Sequence, residues 1–212
     1  MFDWDGVLID SLGASYNVYN KIFAGLGARQ LTKDEFLEYQ SPNWYEFYRK
    51  VALPERYWKK VDDDWVRLYE EEKPDLHRDA LRCLRTLKSR GLHLALISNG
   101  SKDRINEELR RFRVRTYFDS LEFGVGREHL KPSPYMLVKT LAALNFRPSQ
   151  AVYVGDSPAD IQAAKNAKVP SIALARGPIQ AQRLKAERPD HIFGGLDEMT
   201  SFLTAGAAGP SR

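Results

Sequence analysis

The chain has 212 residues, 43% of them in the hydrophobic group and 28% charged. That length suits one α/β domain carrying a small insert, with enough apolar residues to bury a core, and no run approaches the roughly 20 apolar residues of a membrane span. The formal net charge of +4 is a mild basic excess that fits a solvated surface and would help attract an anion, and no run of Lys and Arg is dense enough for a nucleic-acid arm.

The opening stretch, Phe2-Asp3-Trp4-Asp5-Gly6-Val7-Leu8-Ile9-Asp10-Ser11, sets two acids on either side of one residue and follows them with glycine. It has no basic-then-apolar leader pattern, so a cytoplasmic location is the default expectation. In an extended segment Asp3 and Asp5 point the same way, and Gly6 lets the backbone turn sharply beside a ligand. One carboxylate can act as a covalent nucleophile while the other moves protons. Asp-x-Asp-Gly also opens a calcium loop, but that loop needs a bidentate Glu at its twelfth position, and counting from Asp3 that position is Ala14.

From Ser11 to Lys73 strand-like runs are absent, and the text is helical and aromatic: Tyr16, Tyr19, Phe23, Phe36, Tyr39, Trp44, Tyr45, Phe47, Tyr48, Tyr57, Trp58, Trp65 and Tyr69 all fall here. Pro42, Pro54 and Pro74 punctuate it. An all-helical insert over 12–74 is expected, its aromatics filling a small core. Arg49, Lys50, Arg56, Lys59 and Lys60 could add an anion contact, although surface charge is the commoner role.

Beyond it, short apolar runs alternate with helical patterns. Leu76, Ala80, Leu81, Leu84 and Leu87 form a stripe that Gly91 stops, and Cys83, the single cysteine, reads as a buried residue of that helix. One cysteine excludes an intrachain disulfide and a cysteine-rich zinc site. Strands are expected at 92–97, 120–123, 151–154, 171–174 and 191–193, and helices at 102–113, 134–144, 160–167 and 179–187. Such alternation implies a Rossmann-like parallel sheet with helices on both faces, formed by 1–11 and 75–205, and the small-residue stretch 206–212 reads as a flexible tail.

Three further stretches carry chemistry. Ser98-Asn99-Gly100-Ser101 joins the best strand to a helix, where a hydroxyl, an amide and backbone N–H groups suit an anion. Lys131-Pro132-Ser133-Pro134 holds a lysine in an extended segment entering a helix. Gly155-Asp156-Ser157-Pro158-Ala159-Asp160 follows another strand, and its carboxylates could hold a hard cation such as magnesium. Taken singly, each has a plainer reading: a helix N-cap, an exposed lysine in a turn, an Asp turn before a capped helix. Together they lie at the carboxyl ends of strands in a parallel sheet, where ligands bind. They supply the nucleophile, acid, donors and metal carboxylates that phosphoryl transfer needs.

In this order the motifs resemble the haloacid dehalogenase-like superfamily, and the stretches around Val7-Leu8-Ile9-Asp10-Ser11 and Asp160-Ile161-Gln162-Ala163-Ala164 resemble the branch containing phosphoglycolate phosphatase and β-phosphoglucomutase. The resemblance covers nearly the whole chain and places a helical cap where 12–74 lies. It implies a phosphatase for a small phosphate ester, such as phosphoglycolate, acting through an aspartyl-phosphate with Mg2+ as cofactor. The alternatives are a phosphomutase acting on a sugar phosphate and a non-enzymatic binding protein on the same fold. The resemblance makes Asp3 the nucleophile and a metal ligand, and Asp5 the general acid and base whose carbonyl also binds metal. Ser98 and Asn99, with Gly6, hold the phosphoryl group, and Lys131 neutralises charge. Asp156 ligates the metal and Asp160 supports it. No nucleic-acid or membrane partner is expected, and the chain would be a monomer or homodimer. Family members carry an apolar run before the first Asp, whereas only Met1 and Phe2 precede Asp3: either the sequence starts late or the central strand is short, and a short strand would hold its nucleophile loosely.

Overall fold

The computed structural model describes residues 1–41, 44–124 and 126–205. Pro42 and the tail over 206–212 lie outside the described residues. The chain divides into two compact units, Met1–Ile9 with the chain from Leu76 onward, and Asp10–Asp75. No described helix is long and apolar enough to cross a membrane.

The Asp10–Asp75 unit is helical, with α1 (Ser11–Gly25), α2 (Lys33–Tyr39), α3 (Trp44–Lys50) and α4 (Trp58–Glu72). Thr32 and Glu35 close a reciprocal capping box on α2, which satisfies two N–H groups the helix itself leaves unpaired. Most of the aromatics expected to fill a core do so, Trp44 being exposed: Tyr19 meets Phe47 at 4.7 Å between ring centroids, and Trp65 stacks on Tyr69 at 4.5 Å. Phe23, Phe36, Phe47, Tyr48 and Tyr69 are all buried. Rings meeting at such distances add packing energy beyond their buried area. Of the basic residues in this unit, Lys59 and Lys60 pair with Asp63 and Asp64 one turn on, and Arg49 lies over the Trp58 ring at 5.3 Å.

The other unit is a parallel sheet of β1 (Ala95–Ser98), β2 (Ser120–Phe123), β3 (Tyr153–Gly155), β4 (Ser171–Leu174) and β5 (His191–Phe193). β1 pairs with β2, β3 with β4 and β4 with β5, all parallel. Phe2 bridges Leu96 on one side and Val154 on the other, so the residues before Asp3 join the two halves in the order β2, β1, Met1–Asp3, β3, β4, β5. β1 and β4 are buried at every position, as strands covered on both faces must be.

Successive strand residues point to opposite faces. Leu96, Val154 and Ile172 pack against α5 (Ala80–Ser89), α6 (Lys102–Arg111) and α10 (Leu196–Ala205). Their neighbours Ile97 and Tyr153 pack against α7 (Tyr135–Leu144) and α8 (Pro158–Asn166), and Ala173 meets Leu184 of α9 (Pro178–Ala186). Cys83 is buried in α5. The first strand begins at Ala95 instead of 92, because Leu92 N–H closes the turn after α5 by donating to the Leu87 carbonyl. Helix α8 begins at Pro158 instead of 160, because Ser157 and Asp160 form a capping box with proline at the first helical position. Helix α10 is not among the expected elements.

Candidate active site

The first motif is anchored by backbone. Phe2 N–H donates to the Ala95 carbonyl at 2.8 Å, and its own carbonyl accepts from Ile97 at 2.8 Å. On the other side Val154 N–H donates to Met1 at 2.9 Å and Asp3 N–H to Val154 at 2.9 Å. The segment is laddered on both sides, which holds Asp3 firmly rather than loosely. Asp3 therefore stands at the carboxyl end of the middle lane of the sheet. The chain then turns: Leu8 and Ile9 N–H groups both donate to the Trp4 carbonyl, and Trp4, Val7, Leu8 and Ile9 are fully buried. Gly6 has φ +74°, and a Cβ there would sit 2.0 Å from Asp156 Oδ2, so both the turn and the close approach require glycine. The His77 ring lies 3.1 Å from the Gly6 carbonyl and braces the loop.

Around Asp3 the chain gathers three acids and one base. Asp3, Asp156 and Asp160 each offer a carboxylate oxygen within 4.8 Å of the others, and all three are buried. Lys131 Nζ lies 2.8 Å from Asp3 Oδ1 and 2.7 Å from Asp160 Oδ1. Its third neighbour is the Tyr153 hydroxyl at 3.1 Å, which also lies 3.2 Å from the Ile97 carbonyl. Burial opposes the Lys131 ammonium, but Asp160 and Asp3 outweigh it and hold its pKa above the ordinary lysine value. Burial pushes Asp3 up to about 7 against the pull of Lys131, with Asp160 and Asp5 adding to the rise. Burial, with Asp160 and Asp3 beside it, raises Asp156 well above the usual carboxylate range.

Three buried carboxylates stand against one ammonium, and their mutual repulsion adds to the burial that chiefly raises Asp3 and Asp156. Asp160 is saturated: Oδ1 faces Lys131 and Tyr153, and Oδ2 accepts from Ser157 N at 3.0 Å and Ser157 Oγ at 2.6 Å. Asp3 Oδ1 takes Lys131 and the Trp4 N–H, and Asp156 Oδ2 takes the Gln180 amide at 3.0 Å. That leaves Asp3 Oδ2 and Asp156 Oδ1 without hydrogen bonds among the described residues. Hard, ionisable oxygens with spare lone pairs and uncompensated charge fit a hard divalent cation such as Mg2+.

The second motif caps the same end of the sheet. Ser98, 1% exposed, ends β1, and its Oγ accepts from Gly100 N–H at 3.0 Å. The helix N-cap is Ser101, whose hydroxyl accepts from Arg104 N–H. Asn99 pairs with the backbone of Lys131 in both directions, accepting from its N–H at 2.8 Å and donating to its carbonyl at 3.3 Å, and so ties the second motif to the third. Asp5 lies apart from the acid cluster. Arg104 holds it in a two-pronged ion pair, Nη1 to Oδ1 at 3.0 Å and Nη2 to Oδ2 at 2.6 Å. Arg104 also reaches Glu108 at 3.2 Å, and Glu108 accepts from the Trp4 indole at 2.6 Å. Burial raises the Glu108 pKa while Arg104 opposes that rise.

The structure thus brings Asp3, Lys131, Asp156 and Asp160 into one cluster, with Gly6 against Asp156 and Asn99 on the Lys131 backbone. Tyr153, Gln180, His77, Arg104 and Glu108 complete the surroundings, and the sequence reading names none of them in the site. For Tyr153 a signal existed, since it stands two residues before Gly155 on a strand. For Arg104 and Glu108 the one-turn spacing on α6 was visible, but their partners lie about a hundred residues away.

A family model described as haloacid dehalogenase-like hydrolase matches residues 1–174. Among curated relatives, a phosphoglycolate phosphatase of Aquifex aeolicus is 29% identical over 210 residues, covering 96% of this chain and 95% of its own. Pyrophosphatase PpaX of Bacillus velezensis is 27% identical over 209 residues, covering 96% and 93%. A crystal structure from Haemophilus somnus, described as a "predicted phosphoglycolate phosphatase", has the same fold, with a TM-score of 0.83 at 22% identity over 97% of this chain and 96% of that one.

Proposed function

The chain belongs to the haloacid dehalogenase-like hydrolase family, and from that premise we propose that it is a magnesium-dependent phosphatase that cleaves a small phosphorylated metabolite through an aspartyl-phosphate on Asp3. The observation that carries this reading is the buried cluster of Asp3, Asp156 and Asp160 around Lys131, at the carboxyl ends of β1, β3 and the lane between them. The Asp3 carboxylate attacks phosphorus, oriented by Lys131 and the Trp4 N–H at its Oδ1. Asp5 gives a proton to the departing oxygen. It then takes one from the water that attacks the aspartyl-phosphate, releasing inorganic phosphate and restoring Asp3. Ser98, the backbone N–H groups that follow it and the Lys131 ammonium hold the phosphoryl oxygens.

Asp3, Asp156 and the Asp5 carbonyl would hold Mg2+ with Asp160 behind them, where the ion would offset the buried negative charge and charge on the phosphoryl group. Phosphoglycolate and pyrophosphate are the first substrates to try, because the relatives named above act on them by name. The test is hydrolysis of p-nitrophenyl phosphate by folded protein with magnesium and then with EDTA. Turnover that EDTA abolishes supports the reading, and no turnover in either condition overturns it.

A further inference from the structure

We propose that Arg104, braced by Glu108 and Trp4, is a positioning residue that holds the Asp5 carboxylate where it exchanges protons; the inference rests on the role of Asp5 given above. The contacts form a closed circuit. Trp4 turns its indole into the core and donates to Glu108 Oε2 at 2.6 Å. Glu108 lies one helical turn after Arg104 on α6 and holds its guanidinium at 3.2 Å and 3.3 Å. The guanidinium then grips both oxygens of Asp5. The circuit starts and ends on adjacent residues of the catalytic loop, so α6 fixes both the buried and the reactive side of that loop.

The fork is specific to arginine, because two parallel N–H bonds set the plane of the carboxylate as well as its distance. Space for it is made by Gly100. A Cβ at Gly100 would lie 2.3 Å from Arg104 Nη2 and 3.2 Å from Asp5 Oδ2, so the guanidinium fills the volume a side chain would take. Glycine in this motif therefore serves the clamp as well as the backbone donors. Glu108 is 7% exposed and has no part in the chemistry, which leaves bracing Arg104 and Trp4 as what it does.

The Arg104 and Asp5 side chains are 17% and 33% exposed, so loss of that pair by itself costs little stability, but R104A also leaves the buried Glu108 without its cation; for the rate, a misplacement near 1 Å costs about 100-fold. R104A should lower kcat for p-nitrophenyl phosphate roughly 10- to 100-fold, with KM changed less than about threefold and the melting temperature lowered because Glu108 stays buried without its cation. R104K should recover part of kcat. In a D5N background R104A should cost nothing further, because a residue acting only through Asp5 has nothing left to act on. If R104A does not fold, E108Q, which keeps the shape and the Trp4 acceptor, should move kcat the same way by less. An R104A variant with parental or raised kcat overturns the inference, and so does a loss that persists undiminished in D5N. D5N and the parent are measured alongside. If D5N turns over like the parent, the role of Asp5 itself fails, whereas an impaired D5N beside an unaffected R104A removes the Arg104 assignment alone.

Discussion

Replacing Asp3 by asparagine should stabilise the metal-free protein at alkaline pH while ending its turnover. The folded-state pKa of Asp3 is raised from 3.8 to about 7, chiefly by burial. The folded protein therefore holds a proton on Asp3 that the unfolded chain has released, and stability is lost as pH climbs from about 4 through 7. Between pH 5 and pH 8 that linkage amounts to a loss on the order of 3 kcal/mol for the parent. The amide of D3N does not titrate and no longer helps to raise Asp156, so the variant should gain at least that amount relative to the parent across the same interval. For a chain of this size the gain is roughly 6–12 °C in Tm. The Met1 amine, lowered to about 5 by burial, acts in the opposite sense over the same range, but it is common to both proteins and cancels in their difference. Asp79, Asp119 and Asp190 have lowered pKa values, so the stability they contribute is lost only on acidification below about pH 4, is fully present by pH 5 and stays flat across this range. The assay is thermal unfolding of both proteins in EDTA at pH 5, 6.5 and 8, repeated with magnesium. Magnesium should raise the parent at pH 8 far more than D3N. A D3N-minus-parent difference that shrinks or stays constant from pH 5 to pH 8 would refute the claim that burial holds the Asp3 pKa above its unfolded value.

Three more outcomes follow from the same contacts. Y153F removes the hydroxyl between Lys131, Asp160 and the Ile97 carbonyl; steady-state kinetics should show kcat down about tenfold at nearly constant KM, and urea unfolding a loss of about 1–3 kcal/mol. Q180L removes the amide that donates to both the Asp156 carbonyl and Oδ2; calorimetric titration should find Mg2+ bound about 10- to 100-fold more weakly, with the fold retained. F2A opens a cavity in the lane joining the two halves of the sheet, where Phe2 is 2% exposed; denaturant midpoints should report a loss of about 3–5 kcal/mol, and an unchanged midpoint would deny Phe2 that place.

Much of the fold was legible because burial leaves a pattern in the text. β2, β4 and β5 fall where their apolar runs lie, most plainly β4, which is buried at every position as a strand covered on both faces must be. Boundaries moved where caps decided them: Ser157-Pro158 starts α8 early, and the turn after α5 takes up Leu92. Helix α10 was missed although Leu196, Met199 and Leu203 keep helical spacing, because Thr200, Ser201 and Thr204 dilute the stripe. At the site, Asp3, Lys131, Asp156 and Asp160 stood out by chemical type and by their places at strand ends. Arg104, Glu108, Tyr153 and Gln180 did not. Each acts through a partner distant in the chain, and nothing in a helical Arg or a strand Tyr says which distant carboxylate it will meet.

The most direct test of the central claim is chemical trapping of the intermediate. Folded protein turning over p-nitrophenyl phosphate with magnesium is treated with borohydride, which reduces an acyl phosphate to an alcohol, and the peptides are read by mass spectrometry. Homoserine at position 3, absent from D3N and from samples kept in EDTA, is the result expected. Steady turnover with Asp3 unmodified, or reduction at another carboxylate, would contradict it.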